Sequence, residues 1–254
     1  MEIVTKLDHR ILRIGINRPA KKNALTVAMY AAMADALEAA EQNPAVRVVL
    51  IHGQGDMFTA GNDLVDFDNA PQRGGTPPAF RFLDAISTAT KPLIAAVNGV
   101  AVGIGTTMLL HCDLVYAGQG ARFSLPFVKL GLCPEAASSL LLPRLAGYQR
   151  AAELLLLGEP FGPDQARELG LVTEILPDAG VFDYAVAQAV LLAAKPPSSM
   201  RATKQLMKSE QAPLVKQAML AERAQFTTLL AAPEAKEAFK AFFEKRKPDF
   251  SKFN

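Results

Sequence analysis

Residues 98–143 constrain the chain more than any other stretch. Glycines at 99, 103 and 105 follow the apolar run 92–97, so a buried strand has to break into a turn and then start a helix. A turn of that kind leaves backbone N–H groups unpaired, and such donors at a helix N-terminus attract developing negative charge. About thirty residues later, Cys133-Pro134-Glu135-Ala136-Ala137-Ser138-Ser139 reads as a second helix start, with Pro134 in its first turn and one carboxylate beside it. An anion site and a lone base suit the movement of a proton next to a carbonyl.

The rest of the chain supplies a frame. Residues 2–6 and 9–16 alternate apolar and polar and predict an antiparallel hairpin across Leu7-Asp8. A polar loop over 17–25 leads to Thr26, an N-cap for a helix to Asn43 with Tyr30, Met33, Leu37 and Ala40 on its core face. Residues 46–52 read as a strand that runs into a second glycine-bearing loop, 52–64. Residues 69–78, with three prolines and two glycines, read as a mobile loop and 79–88 as a helix. Helices are expected at 148–157 and 162–169, with a late strand at 171–176. Helical pieces then begin near Val181, Ser198, Pro213 and Pro233.

A chain of 254 residues forms one large domain or a domain with a helical appendage. The formal net charge of +2 is too small to imply nucleic acid. Basic residues gather at 195–208 and 236–252, which reads first as a solvated helix face. Cys112 and Cys133 match no metal or redox spacing and read as reduced core thiols. No export signal opens the chain, and no apolar run approaches the roughly 18 residues of a membrane helix, so a cytoplasmic protein is expected.

Other chemistries fit less well. G-x-G-x-x-G fails at Met108, and no P-loop occurs. His9, His52 and His111 stand alone, without metal-pair spacing. Asp63, Asp66 and Asp68 resemble a calcium loop until the required glycine fails to follow, leaving a solvated loop. Ser138-Ser139 lacks a nucleophile elbow, so capping or tight packing is the better reading. Glu135 alone is an ordinary first-turn acid. Its apolar company, Leu130, Leu132, Ala136 and Leu140, is what would raise its pKa toward that of a general base.

These residues resemble the crotonase (enoyl-CoA hydratase/isomerase) superfamily. The likeness rests on Asn17-Arg18-Pro19, Asn23-Ala24-Leu25, the run Phe58-Thr59-Ala60-Gly61-Asn62-Asp63-Leu64, the run 91–99, residues 112–117 and the closing 242–247. It implies an α/β spiral of ββα units over residues 1–195 and a C-terminal helical trimerisation region over 196–254. It also implies assembly as a homotrimer or dimer of trimers, and a coenzyme A thioester as ligand with no separate cofactor or metal. By motif position the amides of Asn62 and Ile104 would hold the thioester oxygen. Lys22, Asn23 and Ala24 would meet the adenine region, with Phe242 and Lys245 there or at the phosphates. Ala60, Gly61, Asp63, Leu64, Gly103, Phe127, Leu132 and Pro134 complete the implied binding set, and residues 69–78 would border the acyl pocket.

The departures from the family pattern decide the expected reaction. Crotonase-type hydratases carry glutamates where this chain has Thr107 and Phe127, and water addition needs carboxylates to activate water and deliver a proton. Pro134-Glu135 followed by Ser138-Ser139 resembles instead the peroxisomal-type 3,2-trans-enoyl-CoA isomerases, in which one glutamate takes a proton from C2 and returns it to C4. The expectation is therefore an enoyl-CoA isomerase using Glu135. A hydratase or other CoA-thioester enzyme is the alternative, followed by a non-catalytic CoA-ligand or RNA-binding relative.

Overall fold

Val48–Gly53 and Leu93–Val97 are apolar at successive positions, a pattern that suits a strand covered on both faces. In the computed structural model, which describes residues 1–68 and 76–253, they lie at the centre of a six-stranded sheet. The strands are β1 (Ile3–Asp8), β2 (Ile11–Ile16), β3 (Val48–Gly53), β4 (Leu93–Val97), β5 (Val100–Val102), β6 (Leu114–Gly118), β7 (Arg122–Ser124) and β8 (Glu174–Leu176). The sheet order is β1-β2-β3-β4-β6-β8. β1 is antiparallel to β2, and every other neighbour is parallel.

The helices are α1 (Val27–Gln42), α2 (Leu64–Asp68), α3 (Pro78–Thr88), α4 (Ile104–Thr107), α5 (Ser138–Ala146), α6 (Tyr148–Ala152), α7 (Pro163–Glu168), α8 (Val181–Ala193), α9 (Pro197–Ser209), α10 (Ala212–Leu230) and α11 (Pro233–Phe243). Alternate strand residues divide between two apolar clusters. Val49, Ile51, Leu93, Ala95 and Val97 join the cluster that contains the buried faces of α1 and α3. Val48, Leu50, Ile94 and Ala96 meet Val181, Ala185, Ala189 and Ala193, which recur every four residues along one stripe of α8. The small alanines let that helix lie close to the sheet.

A second, ragged layer carries the site. β5 pairs in parallel with β7, Thr59 bridges Ala101, Leu25 bridges Asn62, and Phe123 bridges Phe161. Each turn of the chain thus places one strand in the main sheet and one short extended segment in this layer, which is the expected ββα spiral.

Several local expectations need correction. The hairpin turns at His9-Arg10 rather than Leu7-Asp8, and both turn residues have positive φ (47° and 66°) without the usual glycine or asparagine. The second helix of the central stretch begins at Ser138, not at Pro134, because Ala136 and Ala137 adopt left-handed φ of 61° and 55°. The late strand is confined to β8, as Leu171 and Val172 are spent on the core. Asp63 and Asp66 are no solvated loop: Asp63 Oδ1 accepts the Val65 and Asp66 amides at the start of α2, and Asp66 Oδ2 accepts the Val27 amide. Residues 69–75 of the expected loop lie outside the described residues, and Pro78 opens α3. The Thr26 cap is as expected, accepting the Met29 amide at 3.3 Å.

Not all of the basic residues of α9 form a solvated face. Lys204 is 4% exposed, and its ammonium donates to the Lys91 carbonyl and to Asp113, both at 2.7 Å. Asp113 in turn accepts the Leu93 amide, so this contact ties α9 to the start of β4. Lys204→Ala removes the direct partner of Asp113, leaving the more distant Lys208, and is expected to cost about 2–3 kcal/mol, read from the shift in urea midpoint.

Candidate active site

The parallel pairing of the second layer brings two distant amides together. Asn62 and Ile104 each lie three residues beyond the bridged pair Thr59 and Ala101, and the close approach of Gly61 to the Val102 carbonyl keeps the two segments together just before these amides. Thr59 N–H donates to Val100 at 2.9 Å and Val102 N–H to Thr59 at 3.1 Å, which locks the alignment. Among the described residues, neither the Asn62 nor the Ile104 amide has a recorded hydrogen-bond acceptor. Two free amides on adjoining segments are suited to gripping a single oxygen.

Glycine is required at 61. Its φ is +85°, and a Cβ there would stand 2.7 Å from the Val102 carbonyl oxygen. Gly103 also has positive φ (+55°), but nothing lies within 4 Å of where its Cβ would be. Open space therefore adjoins the Ile104 amide. The Asn62 side chain accepts a hydrogen bond from the buried Tyr30 hydroxyl, fixing the loop from the α1 side. Burial, followed by the charge of Glu135, holds the Tyr30 phenol well above its usual pKa.

Glu135 is 9% exposed. Its Oε1 accepts the hydroxyl of the fully buried Thr107. Burial pushes the carboxyl from 4.5 up to about 8; the Thr107 hydrogen bond opposes that rise and the nearby charge of Glu222 adds to it. A base of that pKa is half ionised at about pH 8, about a tenth ionised at neutral pH, and strong enough to take a carbon-bound proton once an enolate is stabilised.

The turn after Glu135 is held from three sides. The Ser138 hydroxyl and amide both donate to the Glu135 carbonyl, at 2.5 and 3.0 Å. His111 Nε2–H donates to the Ala136 carbonyl at 2.8 Å, and burial lowers that imidazole's pKa to about 4, keeping it neutral. Glu222, reaching in from α10, accepts the Ala137 amide at 2.6 Å, the Ser139 amide at 2.9 Å and the Ser139 hydroxyl. Ser138 and Ser139 thus tie down a turn, as the capping reading expects. Glu222 itself lies 87 positions beyond Glu135 in no motif, so sequence reasoning had no signal for it.

A small cleft opens over these groups. Phe80, Leu83 and Met219 form its apolar side, and Glu135, Glu222 and Arg223 its polar side. The Arg223 guanidinium sits 4.4 Å from the Phe80 ring centroid and donates to Asp84 at 2.9 Å.

The remaining candidates divide into framework and surface. Asn23 is fully buried, with its side-chain oxygen taken by the Arg18 amide and its amide donating to Gln54 and Met57. The exposed Lys22 side chain is left there for a ligand, whereas the Ala24 amide donates to the Lys21 carbonyl and the Ala24 carbonyl accepts Arg18. The Lys22 carbonyl accepts the Ala60 amide, which joins this loop to the segment that carries Asn62. Asp63 is committed to Arg18 at 2.6 Å, and Leu64 packs against the core at the start of α2. Phe127 and Leu132 are buried and close a turn through Leu132 N–H to the Phe127 carbonyl at 2.9 Å, while Pro134 is half-buried beside Glu135. Phe242 is exposed near the end of α11 and Lys245, also exposed, follows in a left-handed turn.

A family model described as enoyl-CoA hydratase/isomerase matches residues 6–253. Over 252 residues the chain is 35% identical to 2,3-dehydroadipyl-CoA hydratase of Escherichia coli K12, covering 98% of each protein. It is 38% identical over 218 residues to enoyl-CoA delta isomerase 2 of Rattus norvegicus, covering 82% of this chain and 55% of that one. The crystal structure of an enoyl-CoA hydratase/isomerase from Pseudoalteromonas atlantica T6c matches with a TM-score of 0.95 at 44% identity, over 98% of this chain and 100% of that one.

The chain belongs to the enoyl-CoA hydratase/isomerase family of the crotonase superfamily. It is an enzyme of that family acting on acyl-CoA thioesters. Among the described residues, no helix is long and apolar enough to cross a membrane.

Proposed function

We propose that the protein isomerises 3-enoyl-CoA to 2-trans-enoyl-CoA. The thioester oxygen rests on the Asn62 and Ile104 amides. Glu135 takes a proton from C2, the C3–C4 double-bond electrons and the C2 carbanion delocalise as a dienolate onto that oxygen, and the same carboxyl returns the proton to C4. The double bond ends between C2 and C3, and no atom is gained or lost. Coenzyme A enters as part of the substrate, no other cofactor is needed, and the nucleotide end lies toward Lys22 and Ala24.

One observation carries this reading: the position that hydratases fill with a glutamate holds Thr107, and its hydroxyl is bound to Glu135. One carboxyl with one oxygen free is what a proton shuttle requires. The second reading is hydration of a 2-enoyl-CoA, favoured by Glu222, another carboxylate lining the same cleft. Against it, Glu222 already accepts three hydrogen bonds from residues 137 and 139.

The test supplies purified enzyme with trans-3-hexenoyl-CoA, and separately with trans-2-hexenoyl-CoA, and separates the products by chromatography. Conjugated 2-enoyl product from the first and little 3-hydroxyacyl product from the second is the expected result. Rapid hydroxyacyl formation from the second, with no conjugation of the first, replaces isomerase with hydratase. The trimeric assembly implied by the resemblance is part of the same proposal and is read by sedimentation equilibrium.

A further inference from the structure

We propose that Thr107 and Glu222 are a matched pair of positioning residues for Glu135, Thr107 binding one carboxyl oxygen directly and Glu222 fixing the turn that carries it. This rests on Glu135 being the base, and it assigns the order of that base to two side chains 115 positions apart in the chain.

The backbone around Glu135 does not hold itself. Ala136 and Ala137 both have left-handed φ, a conformation costing a residue with a Cβ roughly 1–2 kcal/mol. Glu222 offsets that cost by accepting the Ala137 and Ser139 amides, the donors that the left-handed turn and the start of α5 leave exposed. From the other side, Thr107 stands on α4, whose first residue is Ile104, so one short helix both presents an oxyanion amide and grips the base. With Oε1 taken by Thr107 and no partner recorded for Oε2 among the described residues, one oxygen is left to meet substrate.

The two residues act on the charge of Glu135 in opposite senses. The Thr107 hydroxyl favours the carboxylate, whereas Glu222, a like charge, disfavours it. The other titratable or charged groups around the carboxyl are Tyr30 on α1, His111 beneath the turn, Cys133 before it and Arg223 on α10. Tyr30 and His111 are neutral over the working range, burial raises the Cys133 thiol, and Arg223 is engaged by Asp84.

The experiment measures kcat/KM against pH for the full-length enzyme and for Thr107→Val, Thr107→Ser and Glu222→Gln. In parallel, the Glu135 carboxyl is titrated by infrared difference spectroscopy, following the protonated C=O band that is missing in Glu135→Gln. Thr107→Val is expected to move the inflection up by about one unit, Thr107→Ser to restore it, and Glu222→Gln to move it down while kcat falls about tenfold. A loss of packing alone does not move one quantity in opposite directions at two sites. An inflection that stays put in Thr107→Val, or shifts the same way in both variants, overturns the pairing. Should Glu222→Gln fail to fold, Glu222→Asp takes its place, keeping the charge but shortening the reach to the Ala137 and Ser139 amides, and an unchanged kcat in it overturns the part given to Glu222. The infrared titration reads Glu135 whatever reaction is catalysed. A shifted band with no isomerase activity in the unaltered enzyme therefore overturns the proposed function and leaves the pairing standing.

Discussion

Glu135→Gln is expected to turn over 3-enoyl-CoA about 10²–10⁴-fold more slowly than the unaltered enzyme, with a far smaller change in KM. Glutamine keeps the shape of the side chain and an oxygen that can accept the Thr107 hydroxyl, but it takes no proton. The loss therefore falls on the chemical step. In the unaltered enzyme the carboxyl must be ionised to act, so kcat/KM rises with pH through about 8, the value to which burial lifts the group. Residual activity of the glutamine variant lacks that rise. Stability carries the opposite signature. The folded carboxyl keeps its proton up to about 8, while the unfolded one releases it near 4.5, so folding stability falls as pH climbs between those values. Glutamine has nothing to ionise, and the Tm advantage of the variant grows from near zero at about pH 4 to its largest above about pH 8. A variant of undiminished turnover would place the base elsewhere.

That double signature shows why the site was only half visible in the sequence. Glu135 could be singled out because it sits in a Pro-Glu pair among apolar neighbours, and the two loop segments about Asn62 and Ile104 are marked by glycines that the backbone needs. Burial of Glu135 followed from those neighbours. The way it is held did not. Thr107 is noticeable only as the absence of a glutamate, and its hydroxyl becomes informative once 28 residues of intervening chain fold back to place it on Oε1. Glu222 lies on an ordinary amphipathic helix, where an acidic residue normally faces water.

The same limit explains the smaller errors. His9-Arg10 and Ala136-Ala137 enter left-handed backbone without glycine, because strand pairing in one case and three converging hydrogen-bond partners in the other impose it. Lys204 looks like one more surface lysine until α9 docks over Asp113. Periodicity located α1 and its cap well, since Thr26 and the core face act within a few residues of each other. Contacts between elements distant in the chain leave no local pattern to read.

Replacing the Gly103–Ile104 peptide bond by an ester, through incorporation of the α-hydroxy analogue of isoleucine at 104, is expected to lower kcat about 10²–10³-fold. The substitution deletes one N–H and leaves the buried side chain of Ile104, 4% exposed, in place. A conventional exchange at 104 changes packing and leaves the amide intact, so it does not ask this question. The amide has no acceptor among the described residues, so its removal costs the resting fold only the weakening of the Gly103 carbonyl, about 1 kcal/mol, since as an ester that carbonyl still accepts the Thr106 and Thr107 amides, both at 2.9 Å. It costs the transition state much more, because the enolate oxygen is then held by Asn62 alone. An ester one residue earlier is the control. The Gly103 amide donates to the Ser124 carbonyl at 2.9 Å, so its loss should lower stability by about 1 kcal/mol and leave turnover within a few-fold. If the two esters have equal effects on kcat, the Ile104 amide is part of the scaffold and the thioester oxygen lies elsewhere. If only the ester at 104 slows the reaction, the Ile104 amide is a donor to the thioester oxygen, carried three residues beyond the bridge between Thr59 and Ala101.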